Sequence, residues 1–151
     1  HAQSSGNIHQ TLKDLAGKYE YVIADTAGRD SRELRTGMTV ADILISPARP
    51  SQYDLDTLPH LAEVYSQAKD LNPKLAGYLV LNLCPTNPVI KEVAAAKEFL
   101  ADYPEFKLAN TLVYDRKAYR DAISEGKSVL EWTDAKAKHE IETLVEEIIH
   151  G

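Results

Sequence analysis

Apolar positions along the chain recur in two alternating rhythms, one helical and one continuous. Ile8, Leu12 and Leu15 fall at helical spacing after a Ser/Gly/Asn start and predict a helix within 7–19. The run YVIA, 21–24, then reads as a buried strand, and Ser31 is placed to cap a short helix through Arg35. DILISP, 42–47, predicts a second apolar strand that Pro47 ends. Leu55, Leu58, Leu61, Ala62, Tyr65 and Ala68 share one face of a helix over 54–71, with Asp54 or Asp56 as its cap and Pro59 tolerated only in the first turn. LAGYLVLNL, 75–83, is the third strand, and a helix over 88–101 starts at Pro88. KLANTLVY, 107–114, is the fourth, with helices over 115–125 and 133–149.

Strands of near-continuous apolar character, separated by helices, predict an α/β fold. The expected form is a three-layer sandwich whose mostly parallel sheet is covered by helices on both faces. No internal repeat, low-complexity stretch or linker interrupts the pattern, so residues 1–151 are expected to form one domain. At 151 residues, 44% hydrophobic and 26% charged, the chain is long enough to bury a core.

Charge and cysteine content narrow the partners. A net charge of −6 argues against a constitutively basic nucleic-acid domain and leaves room only for a local basic patch. Cys84 is the lone cysteine, and no Cys/His cluster has zinc-ligand spacing, so a reducing compartment is expected. No apolar run approaches the ~20 residues that span a bilayer. The chain therefore reads as soluble and cytoplasmic.

In sheets of this kind ligands bind at the carboxyl ends of the strands. Asp25 ends the first predicted strand and is followed by Thr26, Ala27 and Gly28, which let the backbone pass close to a ligand. It reads two ways: as a carboxylate that holds Mg²⁺ directly or through water, or as a cap for the next turn. LNLCPTN, 81–87, leaves the third strand at the same edge. Arg116, Lys117 and Arg120, with Lys127 nearby, form either a local basic surface or a solvated helix face.

Three blocks bear on these readings. YEYVIADTAGRDS, ADILISPARPSQYDLDTL and DRKAYRDAISEGKSVLEWTDAKAKHEIETLVEEI, in this order and at these separations, resemble the ParA-type plasmid and chromosome partition ATPases of the deviant Walker A class. The resemblance runs from about Leu12 to Ile149. It matches Asp25–Arg29 to the end of the Walker B strand and the start of switch II. Pro47, Pro50 and Ser51 match a Pro-x-x-Pro-Ser turn. Arg116, Arg120, Gly126, Val129, Glu131 and Glu140 match the C-terminal block.

The resemblance implies a P-loop NTPase-like fold, ATP and Mg²⁺ as cofactors, and Asp25 as the catalytic and metal carboxylate. It further implies Asn82 or Pro85 against the adenine, a homodimer formed on ATP, and non-specific DNA bound through Arg116, Lys117 and Arg120. A centromere-binding partner, a cytoplasmic, nucleoid-associated location and no membrane contact complete it. One departure stands out. The family's Lys-Gly-Gly-x-Gly-Lys-Thr/Ser loop does not occur in these residues, whose seven glycines are isolated. The chain is thus expected to be the C-terminal portion of a longer ATPase, without the strand that neighbours the Walker B strand. A MinD-like positioning ATPase is the alternative, although the acidic ending HEIETLVEEIIHG disfavours anionic lipid. A non-enzymatic α/β scaffold is the other.

Overall fold

A computed structural model describes residues 3–27, 30–87, 89 and 91–151. The chain alternates helix and strand, with α1 His9–Ala16, α2 Arg32–Met38, β1 Ile43–Ala48, α3 Gln52–Leu55 and α4 Leu58–Leu71. β2 Ala76–Leu81, α5 Glu92–Leu100, β3 Lys107–Leu108, α6 Lys117–Ser124 and α7 Ala135–Ile149 complete it, with a 3₁₀ turn at Val129–Glu131. The sheet has the order β1-β2-β3, and Tyr78 and Leu79 pair with Lys107 and Leu108 in parallel. The α/β class with a parallel sheet is as the pattern predicts.

Contacts gather the residues into two compact units. One contains the chain up to Leu44 together with Leu58–Gly77; the other contains Ile45–Thr57 and Tyr78–Gly151. In the first, α1 packs on α2 at Gly37, where an added Cβ would come within 3.3 Å of the Ile8 side chain. Asn72, just beyond α4, donates from Nδ2 to the carbonyls of Met38 and Ala41 at 2.9 and 2.7 Å. It thereby satisfies acceptors that the end of α2 leaves open. Pro59 sits in the first turn of α4, the place where proline is tolerated.

In the second unit Tyr78, Leu79, Val80 and Leu81 are all buried. Successive strand residues point to opposite faces, so this run is covered on both. β1 is different: Ile45 and Pro47 are exposed, and Pro47 has no amide hydrogen to offer a neighbour, as suits an edge strand. Ala118, Val129 and Ala137 form a small core that Tyr119, Trp132 and Ile141 surround.

Two predicted strands are corrected. YVIA, 21–24, forms no strand: Ile23 is 93% exposed, and no backbone hydrogen bond reaches residues 20–27 among the described residues. A strand exists only through a ladder, and the described residues supply no neighbour for this one. KLANTLVY is strand only at Lys107–Leu108, because its ladder is interrupted. Ala109 and Val113, four positions apart, donate to Leu79 and Leu81, two positions apart, so the chain bulges between them. The predicted start of a helix at Pro88 lies outside the described residues.

Since Leu81 is fully buried in the central strand, Leu81→Ala is expected to cost about 2–5 kcal/mol of stability, read as a lower urea midpoint at unchanged slope. A loss below 1 kcal/mol would contradict this placement of the core.

Candidate functional site

The carboxyl ends of β2 and β3 are stitched together. Beyond the bulge the Cys84 amide donates to the Val113 carbonyl at 3.0 Å, and the Asp115 amide donates to the Cys84 carbonyl at 2.8 Å. Between these strand ends Leu83 adopts φ 53°, the left-handed region that a bulky side chain seldom enters. The Asn82 side chain accepts from the Leu83 amide at 2.8 Å, so it braces that turn. Asn82 and Pro85 are both partly exposed at this edge. Cys84 is fully buried, and burial pushes its thiol up to about 11, which leaves it unsuited to be a nucleophile.

Two glutamates of α7 fix this edge. Glu147 accepts from the amide of Asn110 at 2.6 Å and its Nδ2 at 3.0 Å, and from the amide of Thr111 at 2.9 Å and its Oγ1 at 2.7 Å. It takes the donors that a continuous β3 would have given the sheet, and so holds the bulge. Burial alone would raise the Glu147 carboxyl; the hydrogen bonds from Thr111 and Asn110 outweigh it and hold the group below the usual range. Glu140, a buried acid, accepts from Arg116 Nε at 2.7 Å, from Tyr119 Oη at 3.0 Å and from the Tyr114 amide at 3.3 Å. The hydrogen bond to Glu140 raises Arg116, while burial first and then Glu140 raise the Tyr119 phenol.

These contacts change the reading of the basic helix. Arg116 is committed to Glu140, Lys117 lies 2.7 Å from Asp121, and Arg120 lies 2.5 Å from Asp115. Each cation of the predicted DNA surface thus faces an acid. Arg116 is partly buried against the buried Glu140, and removing it would strand the Glu140 charge.

Asp25 belongs to the first unit, on the run that lacks a ladder. It is exposed and has no hydrogen-bond or ion-pair partner among the described residues. No cluster of three metal-binding side chains occurs among them either. A single unpaired carboxylate fits Mg²⁺, which keeps most of its water and takes only one or two carboxylates. Asp25 lies in the first unit, and Asn82, Pro85 and the basic residues lie in the second. Five residues beyond Asp25, Asp30 accepts from Arg35 Nε at 2.5 Å and Nη2 at 2.7 Å and lies 3.1 Å from His60 Nε2. The Arg35 fork holds the Asp30 carboxyl below its ordinary range.

Sequence comparison bears on this arrangement. A family model described as ATPase MipZ matches residues 1–72. ParA family proteins of Mycoplasma pneumoniae and Mycoplasma genitalium are 29% and 30% identical over 76 residues, half of this chain and 28% of each relative. Maintenance of carboxysome distribution protein A of Halothiobacillus neapolitanus is 27% identical over 144 residues, 93% of this chain and 65% of that protein. The chain is similar in sequence to ParA-type ATPases.

The chain spans between 28% and 65% of the length of the curated proteins it matches. Among its site features, the acids of α7 carried a sequence signal: Glu140 and Glu147 are seven apart, on a helix whose Ala137 and Ile148 are buried. Acids at such positions need partners. The Asp30–His60 contact carried none, because it joins residues thirty apart.

A pH dependence follows from Glu147. Its carboxyl is depressed in the fold, so its stabilisation is complete above the ordinary range near ~4.3 and is lost as pH falls through the lower folded value. Glu147→Gln is expected to cost about 1 kcal/mol at neutral pH, with the gap to the parent closing as urea melts are repeated from pH 6 to pH 3. A gap that is constant across that range would show that Glu147 does not hold the bulge as a carboxylate.

Proposed function

We propose that this chain is the part of a ParA-type positioning ATPase that carries the metal carboxylate, Asp25, and the base-side strand ends. The observation that carries the reading is the exposed Asp25, without a partner among the described residues, within the stretch that matches the ATPase MipZ model. When bound, Mg²⁺ supplies charge neutralisation to the phosphates of ATP. Asp25 is the group of this chain that would hold it, and Asn82 and Pro85 border the edge where the adenine would lie. Among these residues nothing forms a glycine-rich phosphate cradle, so the phosphates need backbone donors from elsewhere.

The finer reading is partition of DNA. ATP joins two copies, the dimer binds DNA without sequence preference, and a centromere-bound partner triggers hydrolysis and release. Lys117 and Arg120 are the exposed cations that support it, since their acids, Asp121 and Asp115, are themselves solvent-facing and exchangeable. Arg116 is a structural residue in this reading. The likeness to Maintenance of carboxysome distribution protein A supports a second reading, in which the cargo is not a replicon.

One experiment in the complete natural protein tests both levels. DNA retention with Mg·ATP is measured across a salt series beside steady-state ATP turnover. Asp25→Ala is expected to abolish turnover with its melting temperature unchanged. Lys117→Glu with Arg120→Glu is expected to leave turnover intact, abolish retention and flatten the salt slope. Undiminished turnover in Asp25→Ala overturns the metal assignment; unaltered retention in the double variant removes α6 from the DNA surface.

A further inference from the structure

At the edge where β2 and β3 end, the peptide unit between Cys84 and Pro85 has one backbone group that can be tied. Pro85 has no amide hydrogen, so only the Cys84 carbonyl can take part in a hydrogen bond. The Asp115 amide donates to that carbonyl at 2.8 Å. Because a peptide unit is planar, this bond fixes the direction in which the chain enters Pro85. Asp115 is in turn the middle residue of a tight turn, closed by the Arg116 amide donating to the Tyr114 carbonyl at 2.9 Å. Glu140 of α7 holds both ends of that turn. Its Oε2 accepts from the Tyr114 amide at 3.3 Å, and its Oε1 accepts from Arg116 Nε at 2.7 Å and lies 2.5 Å from Nη2. An unbroken run of contacts therefore leads from a carboxylate on a helix to the peptide that precedes Pro85.

The chemistry of the group suits this use. A carboxylate has acceptors on both oxygens and no donor, so it receives the Tyr114 amide, Arg116 and, at 3.0 Å, the Tyr119 hydroxyl at once. A glutamine in its place turns one acceptor into a donor, and one of these groups then meets a donor. Stability is a weak reason for the arrangement, because the cost of taking an ion pair out of water offsets much of its attraction. Its distinctive property is direction: one group holds the Arg116 side chain and the backbone of the turn together. We propose that Glu140 is a positioning residue for the base edge, acting through the Tyr114–Arg116 turn and the Asp115 amide to set how Pro85 is presented to a nucleotide base. The inference rests on the reading of Asn82 and Pro85 given under Proposed function.

The test uses the complete natural protein. Glu140→Gln is the main variant, and Arg116→Lys, which keeps the charge and loses the fork, takes its place if the first does not fold. Asn82→Ala with Pro85→Gly alters the edge itself, and Val129→Ala, in the small core with Ala118 and Ala137, controls for lost stability. Calorimetry reads the affinity for Mg·ADP and for Mg·pyrophosphate, which has the phosphates but no base; kinetics reads KM and kcat for ATP. Glu140→Gln is expected to raise the ADP dissociation constant and the KM about tenfold, the size of a hydrogen bond to a charged group. Pyrophosphate affinity and kcat are expected to stay near those of the parent. Arg116→Lys is expected to move the same constants in the same direction, and Val129→Ala to lower the melting temperature alone. If the edge variant weakens ADP binding while Glu140→Gln, or Arg116→Lys in its place, leaves it parental, this inference fails and the reading of the edge survives. If the edge variant binds ADP as the parent does, both fall. Equal losses of ADP and pyrophosphate in Glu140→Gln, or the same ADP loss in Val129→Ala, also overturn the proposal, because they make Glu140 a matter of folding alone.

Discussion

A strand buried on both faces has to be covered from both sides and paired along both edges, and β2 imposes that constraint on the chain. Tyr78 to Leu81 leave no face for water. The β1 and β3 ladders satisfy its backbone, and the need to cover two faces explains why helices separate the strands. The arrangement also decides where loops gather. Since the strands run parallel, the segments after β2 and after the β3 bulge emerge at the same edge, where Cys84 and Val113 tie them together. The left-handed Leu83 and the polar groups of that edge follow from this stitching.

Two carboxylates of α7 then shape the edge. Glu147 diverts the amides of Asn110 and Thr111 from the sheet, and Glu140 ties Tyr114, Arg116 and Tyr119 into one network. A basic helix read from sequence thereby becomes a set of ion pairs. Its more exposed members, Lys117 and Arg120, are paired with acids that are themselves open to solvent. Asp25 stands in the opposite condition, a carboxylate without a partner among the described residues on a run without a ladder.

Much of this was legible in the residues. Helical periodicity marked α1, α4, α6 and α7, and the continuous apolar run of 75–83 marked β2, because both signals arise from local burial. YVIA carries the same apolar signal yet is unpaired among the described residues, because pairing belongs to a neighbour and not to the run itself. The break in 107–114 was hidden for a related reason: its cause is Glu147, thirty-six residues from Thr111. Asp25 was visible as an acid ending an apolar run, whereas the Arg35–Asp30 grip depended on side-chain geometry that spacing does not encode.

β2 carries the ordered core, while the segment bearing Asp25 has no ladder among the described residues. Amide hydrogen exchange of the 151-residue chain measures both at once. The amides of Leu79, Val80 and Leu81 are expected to exchange only through global opening, and residues 20–27 close to the rate of an unprotected peptide. Protection across 21–24 equal to that of β2 would contradict this.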